Sequence, residues 1–449
     1  MMYNYGATHK RMNIKLLFFC AVVAICLIIR DIVGIGLNKF IFVALIGIFL
    51  LFSNRDELWC FLCFLIPLFI GLPGTYIRLI ALILLFAKNK AKIQKHSFFL
   101  MFFFSALEFI ASIWYPSVDL IEILGYMATV SIFIFMIYED QELSHKDCLQ
   151  FYVYGAVLLC VVIISRGITV SQGAWLDLLS KNRYRFGLTG EEGMHLGANA
   201  NELAYYCLSG TAVSYCLFKD RRITDFEKTT YLFITIFIAI TGLLTLSRSY
   251  IIIFAGIVIV YVLLTMRDIR KIGATLFTLL VVLLILIISI NHTKLGSNIW
   301  SGILVRFARN DLATANDRTT LMIDFFDAFI SNFRYTILGT GVTQYWSMLG
   351  LPDGYSIHNM LEQVIICLGF PGGLIFLYSI FKPIVLRRHH IKEHKETLLP
   401  FLAVILFTQT IQFINPYTHM LHYIMAVYAV KSAIESEEDH YNAVSDNYG

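Results

Sequence analysis

The sequence predicts an all-α fold: a polytopic integral membrane helical bundle of about 12–14 transmembrane helices, with a large external loop that contains an amphipathic helix. Composition and pattern both lead there. Apolar residues make up 58% of the 449-residue chain and charged residues only 15%, against about 25% charged in a soluble domain. Mean hydropathy is +0.71. Continuous apolar runs such as Ile251–Leu264 and Leu276–Ile290 recur along the chain. Such runs suit spanning helices, whereas a barrel would show short alternating strands.

Taken in order, spans are expected at 14–30, 37–53, 57–72, 75–87, 97–113, 119–138, 148–165, 198–218, 229–246, 249–266, 272–290, 357–381, 397–412 and 418–432. The first apolar run, Leu16–Ile29, meets Arg30-Asp31 with no small-residue cleavage site, so it reads as a retained span. Pro67, Gly71, Pro73 and Gly74 interrupt the next region, which allows a lower span count. Residues 1–449 form one multi-pass domain in this reading, with loops at about 166–197 and 291–356 and an acidic tail at 433–449.

Lysine and arginine in short loops set orientation. One set of alternating loops carries Lys88, Lys90, Lys92 and Lys95, then Lys219, Arg221, Arg222 and Lys228, then Arg267, Arg270 and Lys271, then Lys382, Arg387, Arg388, Lys392 and Lys395. These loops are expected to be cytoplasmic, together with both termini. The opposite, external side carries arginine in preference to lysine. Arginine suits planar, bidentate recognition of carboxylate or phosphate; long translocated loops also tolerate any charge. Most of the nine cysteines lie inside apolar runs, which fits small buried residues better than a disulfide framework. Cys60-x-x-Cys63 lacks a second pair for a metal.

The large loop, Asn291–Ser356, holds Arg306, Arg309, Arg318 and Arg334. Within it Asn316-Asp317 reads as a cap, followed by Met322, Phe325, Phe326, Phe329 and Ile330 on one helical face. This amphipathic helix is expected to lie on the membrane surface. Ile337–Gly341 (ILGTG) reads as a turn.

Three places could carry chemistry. Arg248, in Ser247-Arg248-Ser249, lies between two strongly apolar runs, where a charge is costly unless it faces a cavity or an anion; snorkelling to lipid headgroups from a tight turn is the alternative. Asn199-Ala200-Asn201-Glu202 has the form of a capping box opening a helix, with Arg183 and Arg185 just upstream. That helix start either offers backbone N–H groups to an anion or is an ordinary capped end. His358, followed by Asn359, sits where the large loop re-enters the membrane; an imidazole can take a proton near neutral pH, or serve only in structure. No external Asp-x-Asp, His/Cys cluster or GxxxxGK[ST] loop is present. Neither a metal nor another cofactor is expected, and arginines would offset leaving-group charge.

These residues, in order and spacing, resemble the O-antigen polymerase/ligase superfamily: GANANELA (197–204), TLSRSYIII (245–253), NDRTTLMIDFF (316–326), ILGTG (337–341) and HNMLEQVIICLGFPGG (358–373). The resemblance covers about residues 180–380. It implies an inverting, metal-independent glycosyltransferase of GT-C-like type in a bacterial inner membrane, acting externally on undecaprenyl-pyrophosphate-linked oligosaccharide among the membrane lipids. It also implies a chain-length regulator protein as partner, and no nucleic acid. Carried over by position, Arg248 and Arg318 would hold pyrophosphate and His358 would be the catalytic base. Arg185, Arg306, Asn199, Glu202 and Asn359 would bind substrate. One departure stands out: the Arg-x10-Gly loop motif of some polymerases is not met, because Leu196 follows Arg185 at that spacing.

A polysaccharide polymerase for O-antigen or capsule is the expected function. The first alternative is the ligase that transfers polymer to lipid A–core. An alternative of another class is a glycolipid transporter or flippase, which would place more charges deep in its spans and show two related halves.

Overall fold

The computed structural model describes residues 5–88, 94–138, 143–172, 174–181, 185–187, 199–266, 292–308, 312–350, 357–415 and 417–446, with isolated positions between 273 and 288. Among the described residues there are 19 α-helices and no strand. The chain is an all-α multi-pass membrane protein. All but one of the expected spans coincide with a helix; the span at 272–290 lies mostly outside the described residues. Five helices are each long and apolar enough to cross a membrane unaided: Leu120–Tyr138, His145–Thr169, Asp225–Leu244, Arg248–Thr265 and Met360–Leu386.

The central helix is His145–Val170. Gly155 lets the backbone of Phe64 lie where a Cβ would otherwise stand, so Arg55–Leu65 packs against it at backbone range. The two run parallel, with Cys60 Sγ 3.8 Å from Cys148 Sγ. Ala200–Lys219 packs antiparallel on the other side, with Tyr152 Oη donating to Ser209 Oγ (2.9 Å) and Cys160 Sγ 3.8 Å from Cys207 Sγ. The cysteines are free thiols, all buried but the half-buried Cys26, and they act as core residues.

Three expected spans are broken. The segment 57–72 changes from α-helix to a 3-10 helix at Ile66–Gly71, where Pro67 withdraws an N–H from the ladder. Leu398–Phe407 stops short, and the chain passes through turns before resuming at His419–His422 and Tyr423–Asp446. Met360–Leu386 is kinked at Gly369, whose φ is 71°. Irregular backbone at membrane depth survives only where protein satisfies it, and here it does. Gln363 Oε1 accepts from Phe413 N (2.8 Å) and Ile414 N (2.9 Å), and its Nε2 donates to Asn415 O (3.0 Å).

The Leu-Gly-x-Gly segment docks on the Gly369 kink. Thr340 N donates to Ile366 O and Gly341 N to Cys367 O, both at 3.0 Å. A Cβ on Gly339 would strike the backbone of Cys367, and one on Gly369 would strike the backbone of Ile337. The buried Glu108 locks the other edge of this segment: it accepts from Val342 N (2.6 Å), Thr343 Oγ1 (2.7 Å) and Tyr115 Oη (2.7 Å).

The loop helix differs from expectation at its start. It runs Leu312–Ile330, so Asn316-Asp317 lies inside it and not at its cap. Ala313 and Ala315 are strong helix formers and extend it backwards. Its buried face is also narrower: Phe325 and Phe329 are buried, while Met322, Phe326 and Ile330 stay exposed.

Candidate functional site

Arg248 stands in the turn between two apolar helices. Leu246 takes the left-handed conformation (φ 51°) while buried, a state that costs about 1–2 kcal/mol for a residue with a Cβ. The turn is held by Thr245 Oγ1 donating to Gly242 O (2.6 Å) and Ser247 N donating to Thr245 Oγ1 (3.2 Å). Ser247 then caps Arg248–Thr265 by accepting from Tyr250 N. Arg248 is therefore the first residue of an 18-residue helix, at the positive end of its dipole.

Arg185 reaches the same turn from the preceding loop. Its Nε donates to Thr245 O (2.9 Å) and its Nη2 to Asn201 Oδ1 (3.3 Å), and Ser247 Oγ donates to that same Asn201 oxygen (3.1 Å). The N-termini of Ala200–Lys219 and Arg248–Thr265 thus meet at one side-chain amide. Arg306 arrives by a third route, on Lys294–Ala308. That helix approaches through Gly302, where a Cβ would stand 2.6 Å from Leu179 O and 3.1 Å from Leu246 Cδ1. Arg306 follows one turn later.

Arg185 registers the charges around it. Burial pushes the Arg185 guanidinium down to about 10, and the positive charges of Arg306 and Arg248 push the same way. Arg185 thus sits among further cations beside two helix N-termini, an arrangement that would favour an anion.

Asn199 and Glu202 form the capping box. Asn199 Oδ1 accepts from Asn201 N (2.9 Å), and Glu202 takes the hydrogen bond from Asn199 N (3.2 Å). Their side chains thus serve the helix start, and it is Asn201 that reaches Arg185. The sequence holds no mark that separates Asn201 from Asn199; the rotation of the helix decides it.

His358 is fixed by its neighbours. Ile357 N donates to Tyr345 Oη (3.2 Å), Met360 N donates to Thr408 O (2.9 Å), and Asn359 caps the helix by accepting from Glu362 N (3.1 Å). Leu398–Phe407 packs along Arg248–Thr265, and Lys395 Nζ bonds Leu264 O at its foot. The two are antiparallel. From Lys395 to Thr408 the chain climbs about 20 Å, and from Leu264 back to Arg248 about 24 Å, at 1.5 Å per helical residue. His358 therefore enters at the Arg248 end of the bundle.

Arg318 sits on the loop helix seven residues before Phe325. Its side chain lies outside the described residues, as do Arg183 and Arg309. Phe329 of the same helix meets Phe370, beside the Gly369 kink, at 5.6 Å between ring centroids. Arg334 stacks over Trp114 (4.5 Å) and Tyr335 (4.8 Å).

Sequence reading passed over Glu108 and Gln363, which position the re-entering segment. Each is a polar residue inside an apolar run, and that was the available signal.

Residues 233–377 match a protein family described as O-Antigen ligase. The resemblance to the O-antigen polymerase/ligase superfamily holds over that stretch. The matched O-antigen ligase segment runs from the helix before Arg248 through the Gly369 kink, so it takes in Arg248, Arg306, Arg318, His358 and both glycine segments. It leaves out Arg185 and Asn201. The match supports an O-antigen ligase/polymerase-type function. No curated protein matches the chain.

Proposed function

We propose that the protein is a polysaccharide polymerase that joins undecaprenyl-pyrophosphate-linked repeat units on the external face of a bacterial inner membrane, with both termini cytoplasmic. The observation that carries this reading is the convergence of Arg185, Arg248 and Arg306 at two helix N-termini. In the proposed reaction an acceptor sugar hydroxyl attacks the anomeric carbon of the donor from the face opposite the leaving group. The bond from that carbon to the pyrophosphate oxygen breaks, and the configuration inverts. The hydroxyl proton passes to His358. The departing undecaprenyl pyrophosphate carries growing negative charge, which the guanidinium groups offset without help from a metal. Arg318 would close over the same anion from the loop helix.

The test is polymer length in cells that carry Arg248→Ala, Arg318→Ala or His358→Ala. Loss of long polymer, with the protein still inserted, supports the reading; normal polymer in all three sinks it. The family description favours one rival, ligation of finished polymer to lipid A–core. A deletion strain separates the two. A single repeat still attached to core marks the polymerase, and free lipid-linked polymer that never reaches core marks the ligase. Turnover by purified protein in detergent would remove transport as the sole activity.

A further inference from the structure

Five helices among the described residues begin with a capping residue followed three positions later by glutamate: Asn54/Glu57, Asn199/Glu202, Thr224/Glu227, Asp119/Glu122 and Asn359/Glu362. In the first three the glutamate turns back to the N–H of its cap, at 2.8, 3.2 and 2.7 Å respectively. In the last two only half of the box is seen: Asp119 Oδ1 accepts from Glu122 N (3.2 Å), and of the two only Glu362 has both carboxyl oxygens shielded from solvent. Asn359 Oδ1 accepts from Glu362 N (3.1 Å), but the Glu362 carboxyl does not return the bond. Both of its oxygens are shielded from solvent and have no hydrogen-bond partner among the described residues. A shielded carboxylate without a donor costs several kcal/mol, on the order of a lost charged hydrogen bond or more. The donors beside it are spent elsewhere: Met360 N on Thr408 O, and the Gln363 amide on Asn415 O.

We propose that Glu362 is a binding residue for a hydroxyl of the acceptor saccharide, four positions after His358; this rests on the glycosyl-transfer reading above. A carboxylate accepts O–H and repels phosphate, so Glu362 suits the sugar and not the pyrophosphate, whose charge belongs with the arginines. An acid on one side and a cation cluster on the other would orient a substrate that is neutral at one end and anionic at the other.

The experiment uses the full-length protein in lipid nanodiscs, with the native repeat unit on undecaprenyl pyrophosphate as donor and the free repeat-unit oligosaccharide as acceptor. Glu362→Gln keeps the shape and removes the charge. The KM for acceptor is expected to rise about 10-fold, the worth of one hydrogen bond to a charged group, with the donor KM unchanged. An unchanged acceptor KM overturns the proposal. So does a displaced pH profile at constant KM, which would make Glu362 a positioning partner of His358. Thermal stabilisation by the oligosaccharide alone gives a readout without turnover. If the unaltered protein binds it and does not transfer, the glycosyl-transfer reading fails; if Glu362→Gln binds it as well as the unaltered protein does, the Glu362 proposal fails. Glu362→Asp should restore part of the binding if the charge is what matters.

Discussion

The two ends of the bundle treat charge differently. At the lysine-bearing end, charges close on one another. Lys15 pairs with Glu57 (2.8 Å), Arg222 with Asp220 (2.8 Å) and Glu435 (3.5 Å), and Glu437 with both His390 (2.8 Å) and His394 (2.9 Å). At the other end, Arg185 donates to neutral oxygens and faces two more cations, and Arg334 lies on aromatic rings. Arg78, buried, sits between Phe69 (5.5 Å) and Tyr417 (5.1 Å), with Thr75 Oγ1 accepting from its Nη2 (3.3 Å). Arg30 shows what a finished pair looks like at that same end, joined to Asp31 by two hydrogen bonds of 3.0 and 2.7 Å. At one end the described ion pairs are many; at the other, Arg185, Arg334 and Arg78 meet neutral oxygens and aromatic rings.

The largest effect should come from the backbone that shapes the second end. Gly369→Ala forces a Cβ onto the Ile337 carbonyl in a left-handed conformation, and a loss above about 3 kcal/mol is expected, read as reduced yield and thermal stability in detergent. Gly256→Ala is the control. It meets nothing within 4 Å and should be neutral or stabilise by about 0.5–1 kcal/mol. Equal behaviour of the two would break the assignment of Gly339 and Gly369 as contact glycines.

Next in size is the cation cluster. Arg248→Ala should lower product about 100-fold, the usual loss for one charge-stabilising donor, without loss of thermal stability, whereas Arg185→Ala, which gives up Thr245 O and Asn201 Oδ1, should lower product and also cost about 1–2 kcal/mol. Arg222→Ala sharpens the contrast. It gives up Asp220, Glu435 and the Ser432 carbonyl, so a stability loss of about 1–2 kcal/mol is expected with product length retained. A variant at the lysine-bearing end that lost product and kept stability would erase the distinction between the ends.

The smallest effect is a pH response of the C-terminal helix. Burial alone would raise the Glu437 carboxyl, but hydrogen bonds and charge from His390 and His394 outweigh it and hold the group below its ordinary value. A depressed acid contributes stability above its unfolded value and loses it as pH falls through the lower folded value. Protease protection of the 433–446 segment should therefore weaken on acidification below about pH 4.5, and Glu437→Gln should remove that response.

How much of the site could be read from the chain varies by residue. Arg248 stood out because a lone charge between apolar runs is costly in lipid. Asn199 and Glu202 stood out as a capping box, and they are one; the contact to Arg185 belongs to Asn201, one position away, because side-chain direction depends on helix rotation. Glu362 follows the same cap-x-x-Glu spelling as the completed boxes at Glu57, Glu202 and Glu227 and does something different with its carboxyl, which no local pattern could reveal.

The sequence alone determined that this is an all-α membrane bundle, where most of its helices lie, and which turn carries Arg248, because hydropathy, proline and cap chemistry act over a few residues. The tertiary structure decided which distant residues meet: Arg185 with Thr245, Gly302 with Leu246, Gly339 with Gly369, Gln363 with the 413–415 turn. Those contacts join segments far apart in the chain, and they are fixed by where a missing Cβ lets backbones approach and where a buried polar group finds its partner.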